Sequence, residues 1–336
     1  MVIGHSGCPL LLFRFIYLFH MPLFFICSGI FFGGISTKDD AFVFFNKRVH
    51  GLYLPFVGYS VFFLLIHNLL MIIGVYNSQY GYYGGSSFYG IKEIFYNLGM
   101  IMFTMHGYEE LLGGFWFIRT LFISSILVII VSLLLSGKYK QEIMCLTFLF
   151  STLFIRRFFS DYFWGRELSM ATFGAMFFLL GKILMQYVKF WKNKYIGVVC
   201  VSFLLLSMLY FNDTVKMECG YNKVLPFVIV AVSGFLLTLY ISDIIEKRVT
   251  ILSRMLYYIG NNTLIILALH FLCFRAFSYI IVLFYNLDMT HVAEHPYIQD
   301  IGIIDDSWWW MLYSLFGLCV PLIFSYIKDR LTTILV

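Results

Sequence analysis

Apolar residues in this chain come in long, nearly unbroken runs, and polar residues gather in short clusters between them. The runs lie near 13–33, 52–75, 115–136, 142–158, 168–188, 195–211, 224–243, 258–285 and 308–327. A helix needs about 20 mostly apolar residues to cross a ~30 Å hydrocarbon core. The pattern therefore predicts an all-α fold, a polytopic transmembrane helical bundle with about nine spans. No internal repeat, heptad or Pro/Ser-rich linker interrupts it, so the sequence reads as a single integral-membrane domain over 1–336.

The clusters between runs alternate in charge. Lys38, Lys47 and Arg48 follow the first run, Lys138 and Lys140 the third, and Lys189, Lys192 and Lys194 the fifth. Lys247, Arg248 and Arg254 follow the seventh, and Lys328 and Arg330 the last. The connectors between these are poorer in lysine: 76–112 holds only Lys92, and 286–307 holds no Lys or Arg. By the positive-inside rule the basic connectors and the C-terminus are cytoplasmic. Arg156, Arg157 and Arg166 break the pattern by facing outward, which means a misplaced span or a site for an anionic group. About nine spans with a cytoplasmic C-terminus put Met1 outside, and this predicts that an inward-starting first helix is missing from the sequence. The N-terminus has no basic n-region or cleavage site and is not read as a signal peptide.

Composition agrees with the pattern. The 336 residues are 61% hydrophobic and only 12% charged, against roughly 25% charged in soluble domains, so no soluble domain is expected. The net charge of +5 is spread over the connectors, a membrane-topology signature rather than a nucleic-acid footprint. Seven cysteines, mostly within apolar runs and never as CxxC, read as buried hydrophobes rather than a disulfide framework. The outward 76–112 segment is rich in Tyr (Tyr76, Tyr80, Tyr82, Tyr83, Tyr89), and its part from Ile91 to Met105 is apolar enough to lie along the interface. Trp308, Trp309 and Trp310 read as an aromatic anchor where the last span meets the headgroups.

Ionisable residues inside the runs are the first candidates for chemistry, because a charge at membrane depth persists only when paired or facing water. Arg14, His20, Arg119, His270 and Arg275 qualify, and His5 lies just ahead of the first run. For His20 the bland reading is a packed ring bonded to a carbonyl that Pro22 frees. Ser28, Gly29 and Gly33 make a small-residue surface that lets helices approach. Asn262 reads as a cap or an interruption at the helix start. His291-Val292-Ala293-Glu294-His295 fits an H-x-x-E-H zinc pattern, but Pro296 follows at once in a short loop, so no metal site is read there.

Four features in order resemble the membrane-bound acyltransferase family 3, the integral-membrane O-acetyltransferases of surface polysaccharides. They are Gly4-His5 followed by FIYLFHMPLFFICSG (Phe15 to Gly29); Asn46-Lys47-Arg48 ahead of Pro55; Gly114-Phe115-Trp116-Phe117-Ile118; and Tyr258-Ile259-Gly260-Asn261-Asn262-Thr263 leading to His270-Phe271. The pattern is most similar to the fucose 4-O-acetylase-like branch. The family carries a basic residue eleven positions before the histidine matching His5, where this sequence has only four residues in all, again pointing to a missing first helix.

The resemblance implies transfer of an acetyl or other short acyl group from acetyl-CoA, as donor substrate, to a hydroxyl of a cell-surface polysaccharide or its lipid-linked precursor. It implies His5 as base or transient acyl carrier, with His20 beside it. Arg14, Lys47, Arg48, Trp116, His270 and Arg275 are then the residues meeting CoA or the acceptor, with Lys47 and Arg48 suited to its phosphates. Acyl-CoA, a sugar or polysaccharide acceptor and membrane lipid are the expected partners, with no metal and no nucleic acid. A bacterial inner or plasma membrane is the expected location. A polysaccharide or lipid transporter, or an inactive truncated remnant, is the alternative.

Overall fold

The computed structural model describes residues 1–82, 84–107, 109–187, 193–211, 213–299 and 308–335. Tyr83, Lys189, Lys192 and positions 300–307, all read above, lie outside the described residues. Among the described residues every regular element is helical: α1 (Leu10–Tyr17), α2 (His20–Ile30), α3 (Lys38–Arg48), α4 (Leu54–Ile72), α5 (Ile91–Thr104), α6 (Trp116–Leu134), α7 (Lys140–Phe158), α8 (Phe163–Tyr187), α9 (Lys194–Phe211), α10 (Val224–Arg248), α11 (Thr250–Asn261), α12 (Thr263–Tyr285) and α13 (Trp309–Leu335). Short 3-10 turns at Ile3–His5, Glu110–Phe115, Tyr221–Lys223 and Met289–Ala293 join them.

The polytopic helical class stands, but the span count is corrected. Seven described helical stretches, not about nine, are long and apolar enough to cross a membrane, with α1–α2 and α3–α4 counted as one each: Leu10–Ile30, Lys38–Ile72, Glu110–Leu134, Phe163–Tyr187, Tyr221–Arg248, Thr263–Tyr285 and Trp309–Leu331. The two runs that drop out do form helices. α7 carries Lys140, Glu142, Arg156 and Arg157 near its ends, and the apolar stretch of α9, Tyr195–Phe211, is too short.

The chain divides into two compact units, each discontinuous in sequence. The first comprises Met1–Leu10, Leu54–Trp116 and Arg254–Val336; the second comprises Leu11–Tyr53 and Phe117–Ser253.

In the second unit α8 is the central helix, and α2, α6 and α7 pack on it. Small residues let backbones touch, as expected where lipid supplies no hydrophobic drive and packing decides. A Cβ at Gly29 would fall 1.7 Å from the Phe178 carbonyl oxygen, and one at Gly181 would fall 2.0 Å from that of Ile26. Gly33 has nothing within 4 Å, so it takes no part in this approach, contrary to the sequence reading. α7 runs antiparallel along α8, with Cys145 Sγ against the Met176 carbonyl at 3.7 Å, Thr152 Oγ1 against Thr172 Oγ1 at 2.9 Å and Arg156 Nε donating to Ser169 Oγ at 3.3 Å. α3 starts on a capping box, Thr37 Oγ1 accepting from Asp40 N at 3.1 Å and Asp40 accepting from Thr37 N at 2.9 Å. It ends on Lys47 and Arg48, which complement the helix dipole.

The 13–33 run is not one helix. Pro22 cannot pack against the carbonyl four residues back, so the chain breaks at Leu18-Phe19 and restarts with Pro22 in the first turn of α2, where its missing N–H costs little.

In the first unit α12 is central. α13 packs on it through Ser278 and Tyr313, whose hydroxyls lie 2.7 Å apart, and through Gly317, where a Cβ would sit 2.4 Å from the Phe274 ring. The 110–115 and 289–293 turns also lie on α12. Asn68 of α4 clamps the segment before α5, donating to Tyr89 O at 2.9 Å and accepting from Tyr89 N at 2.8 Å. Asn262 stands at the N-cap of α12, yet its side chain does not cap the helix. Its amide donates back to the Tyr258 carbonyl at 2.9 Å, and its oxygen accepts from Ser325 of α13. The side chain is used to tie α11 to α13.

Candidate functional site

Residues from three of the four sequence features, His5, Gly114 and His270, come together in the first unit. The His270 ring sits fully buried in α12, and its Nδ1 lies 3.0 Å from the carbonyl oxygens of both Ile266 and Leu267. A carbonyl only accepts, so Nδ1 carries the proton and Nε2 keeps its lone pair. Nε2 is buried with no hydrogen-bond partner among the described residues. The His5 ring stands 5.8 Å away, centroid to centroid, and 5.1 Å from Phe271. His5 is held there by the Ile3–His5 turn, followed by Ser6, which donates to the Ile3 carbonyl at 2.9 Å and accepts from Ser314 of α13 at 2.9 Å.

The turn before α6 closes over the same ring. A Cβ at Gly114 would lie 2.7 Å from Leu267 and 3.9 Å from His270, so glycine lets the turn come this close. Trp116, half-buried, follows at the first position of α6.

Beneath lies a set of buried polar groups around Arg275 and His295, whose carboxylate partners the sequence reading missed. Glu110 forms an ion pair with Arg275, the two side chains being 0% and 1% exposed, and also accepts from the Tyr82 amide at 3.1 Å. Arg275 donates its other terminal nitrogen to the Val292 carbonyl at 3.2 Å. Its two terminal nitrogens are thus engaged within the unit. Removing either member of such a pair leaves an unpaired buried charge, at a cost of about 3–5 kcal/mol. His295 packs its ring 4.5 Å from Phe271, with Nδ1 3.4 Å from Glu110, long for a hydrogen bond. Burial lowers the His295 pKa, while Glu110 pulls it up in part. Next in sequence, Glu109 accepts from His67 Nδ1 at 3.1 Å and from the Tyr76 hydroxyl at 3.0 Å. Burial first, and then the Glu109 charge, push the Tyr76 hydroxyl well above its usual range.

In the H-x-x-E-H segment, His291 pairs with Glu294 at 2.5 Å whereas His295 turns toward Glu110. The two histidines face different carboxylates.

The remaining sequence candidates belong to the second unit. His20 is buried at the start of α2, and its Nδ1 lies 3.0 Å from the Ile16 carbonyl at the helix break, which also accepts from Phe19 N at 3.3 Å. That carbonyl is not the one Pro22 frees, which would be Leu18's; the break acts two residues further back. Arg14 has a buried Nε with no hydrogen-bond partner among the described residues. Arg48 donates to Ser28 Oγ at 3.0 Å and lies over the rings of Phe44 (4.8 Å) and Phe178 (5.2 Å), while Lys47 is exposed. Arg119 is paired with Glu167.

The family described as "Acyltransferase domain" matches residues 1–327. No curated protein and no solved structure matches the chain.

Proposed function

The chain belongs to the acyltransferase domain family of acyltransferase family 3, and on that premise we propose that it transfers an acetyl or short acyl group from acyl-CoA to a hydroxyl of a cell-surface polysaccharide or its lipid-linked precursor. The observation that carries this reading is the His5–His270 pair, two imidazoles 5.8 Å apart, one half-exposed and one buried with an unprotonated Nε2. Imidazole is the side chain whose basicity suits removing a hydroxyl proton near neutral pH.

In the proposed reaction the acceptor hydroxyl oxygen attacks the thioester carbonyl carbon, and His5 takes the hydroxyl proton as the C–O bond forms. The C–S bond then breaks, and the imidazolium returns that proton to the departing sulfur, leaving the ester and CoA thiol. His270 Nε2 accepts a hydrogen bond from His5 or from the acceptor and so orients one against the other. Lys47 and Arg48 hold the donor's phosphates, a task suited to a guanidinium already fixed by Ser28 and two rings. His20, Arg14 and Trp116 support donor or acceptor binding. The membrane is the bacterial inner or plasma membrane, with the C-terminus on the cytoplasmic side together with Lys47, Arg48, Lys138 and Arg248.

The test is purified protein in lipid nanodiscs with labelled acetyl-CoA and a sugar-lipid acceptor. The expected result is label in an ester of the acceptor, with Arg48→Ala raising the donor KM more than it lowers kcat. Absence of labelled ester under conditions where the protein is folded contradicts acyl transfer. A carrier cannot form that ester without a second enzyme.

A further inference from the structure

Arg156 and Arg157, which broke the charge alternation of the sequence, line a cavity of about 940 Å³ in the second unit, together with Lys216, Cys219, Tyr221 and Lys223. Four cations meet there against one lining acid, Glu218.

Arg156 is buried, and what it holds are neutral groups. Its Nε donates to Ser169 Oγ at 3.3 Å, one terminal nitrogen to the Cys219 carbonyl at 2.5 Å and the other to the Met217 carbonyl at 2.8 Å. These bonds pin the 214–223 segment to α7 and set Lys216 and Lys223 at the rim. They do not neutralise the guanidinium charge, so a buried positive charge stands in the cavity wall with no carboxylate hydrogen-bonded to it among the described residues, only the nearby charge of Glu218. Lys223 is 3.5 Å from Asp213, a pair whose acid is 72% exposed and thus screened. Lys216 lies over the Tyr17 ring at 5.6 Å, and Arg157 is exposed.

The depth of this cavity also carries information. Beside it, at the α7–α8 turn, Phe159, Tyr162 and Trp164 form a cluster with ring centroids 5.1 to 6.3 Å apart, and Tyr162 and Trp164 are more than half exposed. Exposed Trp and Tyr of this kind sit at headgroup level. The other end of α7 is marked by Lys140, bonded to the Ile35 carbonyl at 2.6 Å, and by Glu142, bonded to Tyr187 at 2.7 Å. The cavity is therefore at the opposite end of α7 from that basic connector.

We infer that this cavity binds a phosphate group, carried by a membrane-embedded lipid whose headgroup lies at the level of the aromatic cluster. Arg157, Lys216 and Lys223 would contact the phosphate oxygens, Arg156 would supply fixed charge behind them, and the lipid tail would leave along the aromatic cluster. Phosphate suits the site because several separated cations can each meet one of its oxygens.

The experiment follows thermal unfolding of the full chain in neutral detergent as phosphatidic acid is added, with diacylglycerol as the same lipid lacking phosphate and inorganic phosphate as the soluble source. The readout contains no acyl transfer, so it stands or falls apart from the catalytic reading. Phosphatidic acid should raise the midpoint saturably and diacylglycerol should not. Lys216→Gln/Lys223→Gln, both at a solvent-facing rim, should weaken half-saturation roughly tenfold or more, as expected for two charge-assisted contacts. Lys138→Gln, at the other end, should leave it unchanged. A shift with phosphatidic acid alone supports the lipid source; an equal shift with inorganic phosphate supports a phosphate site fed from solution. Equal shifts with diacylglycerol, or equal half-saturation in the double variant, would overturn the inference, as would equal weakening by Lys138→Gln, which would mean bulk charge attraction.

Discussion

Two carbonyl oxygens, those of Ile266 and Leu267, decide which nitrogen of His270 carries a proton, and the backbone thereby prepares Nε2 as an acceptor. His295 shows the same unit acting through burial. The folded chain holds its pKa below the ordinary imidazole value of about 6.5, so the neutral form is favoured. Between the depressed value and about 6.5 the unfolded chain binds more protons than the folded one, and stability rises with pH across that window. The melting temperature should therefore fall as pH drops from about 7.5 to about 5.5, and His295→Gln should fall less. Superimposable pH profiles for the two proteins would contradict this account of His295. His270 could be singled out in the sequence because ionisable residues at membrane depth are rare, and His5 because Gly4-His5 matches the family pattern. Glu109 and Glu110 are not legible as buried groups, because they follow a Tyr/Gly-rich connector and look like loop acids. The available signal was the unpaired Arg275 within an apolar run, which demanded a buried carboxylate somewhere.

At the scale of elements, apolar runs showed where helices form, and all nine predicted runs contain one. They did not show which helices have the length and apolarity to span, because ends carrying charge, as in α7, look alike in sequence whether they cross or only pack. The break between α1 and α2 was legible only in part: Pro22 announces an interruption, but its place at Leu18-Phe19, three to four residues earlier, depends on how the restarted helix accommodates the proline. The glycine surface divides in the same way. Gly29 and Gly181 meet backbone and Gly33 meets nothing, which depends on the partner helix rather than on local sequence. Gly181→Ala would drive a Cβ to 2.0 Å from the Ile26 carbonyl oxygen. It should lower stability by about 1–3 kcal/mol or more, whereas Gly33→Ala should stay within about 0.5 kcal/mol. Unfolding in detergent distinguishes them, and equal effects would mean that α2 and α8 do not touch at Gly181.

For the molecule as a whole, the family match over residues 1–327 covers both compact units, so acyl transfer belongs to the chain rather than to either unit. Residues from three of the four features that pointed to the family, His5, Gly114 and His270, meet in the first unit, whereas the Phe15 to Gly29 stretch of the first feature and the feature with Lys47 and Arg48 belong to the second. Sequence order alone could not divide them in this way, because each unit is assembled from separated segments. The central claim is that His5 removes the acceptor proton, and single-turnover acyl transfer by purified His5→Ala, beside the unaltered chain and His270→Ala, tests it most directly. The account predicts that His5→Ala loses about 10²–10⁴-fold in rate, as expected for a lost general base, while remaining folded and binding donor with unchanged affinity. His270→Ala should be slowed less. Near-unaltered turnover in folded His5→Ala would contradict the account and leave His5 a structural residue.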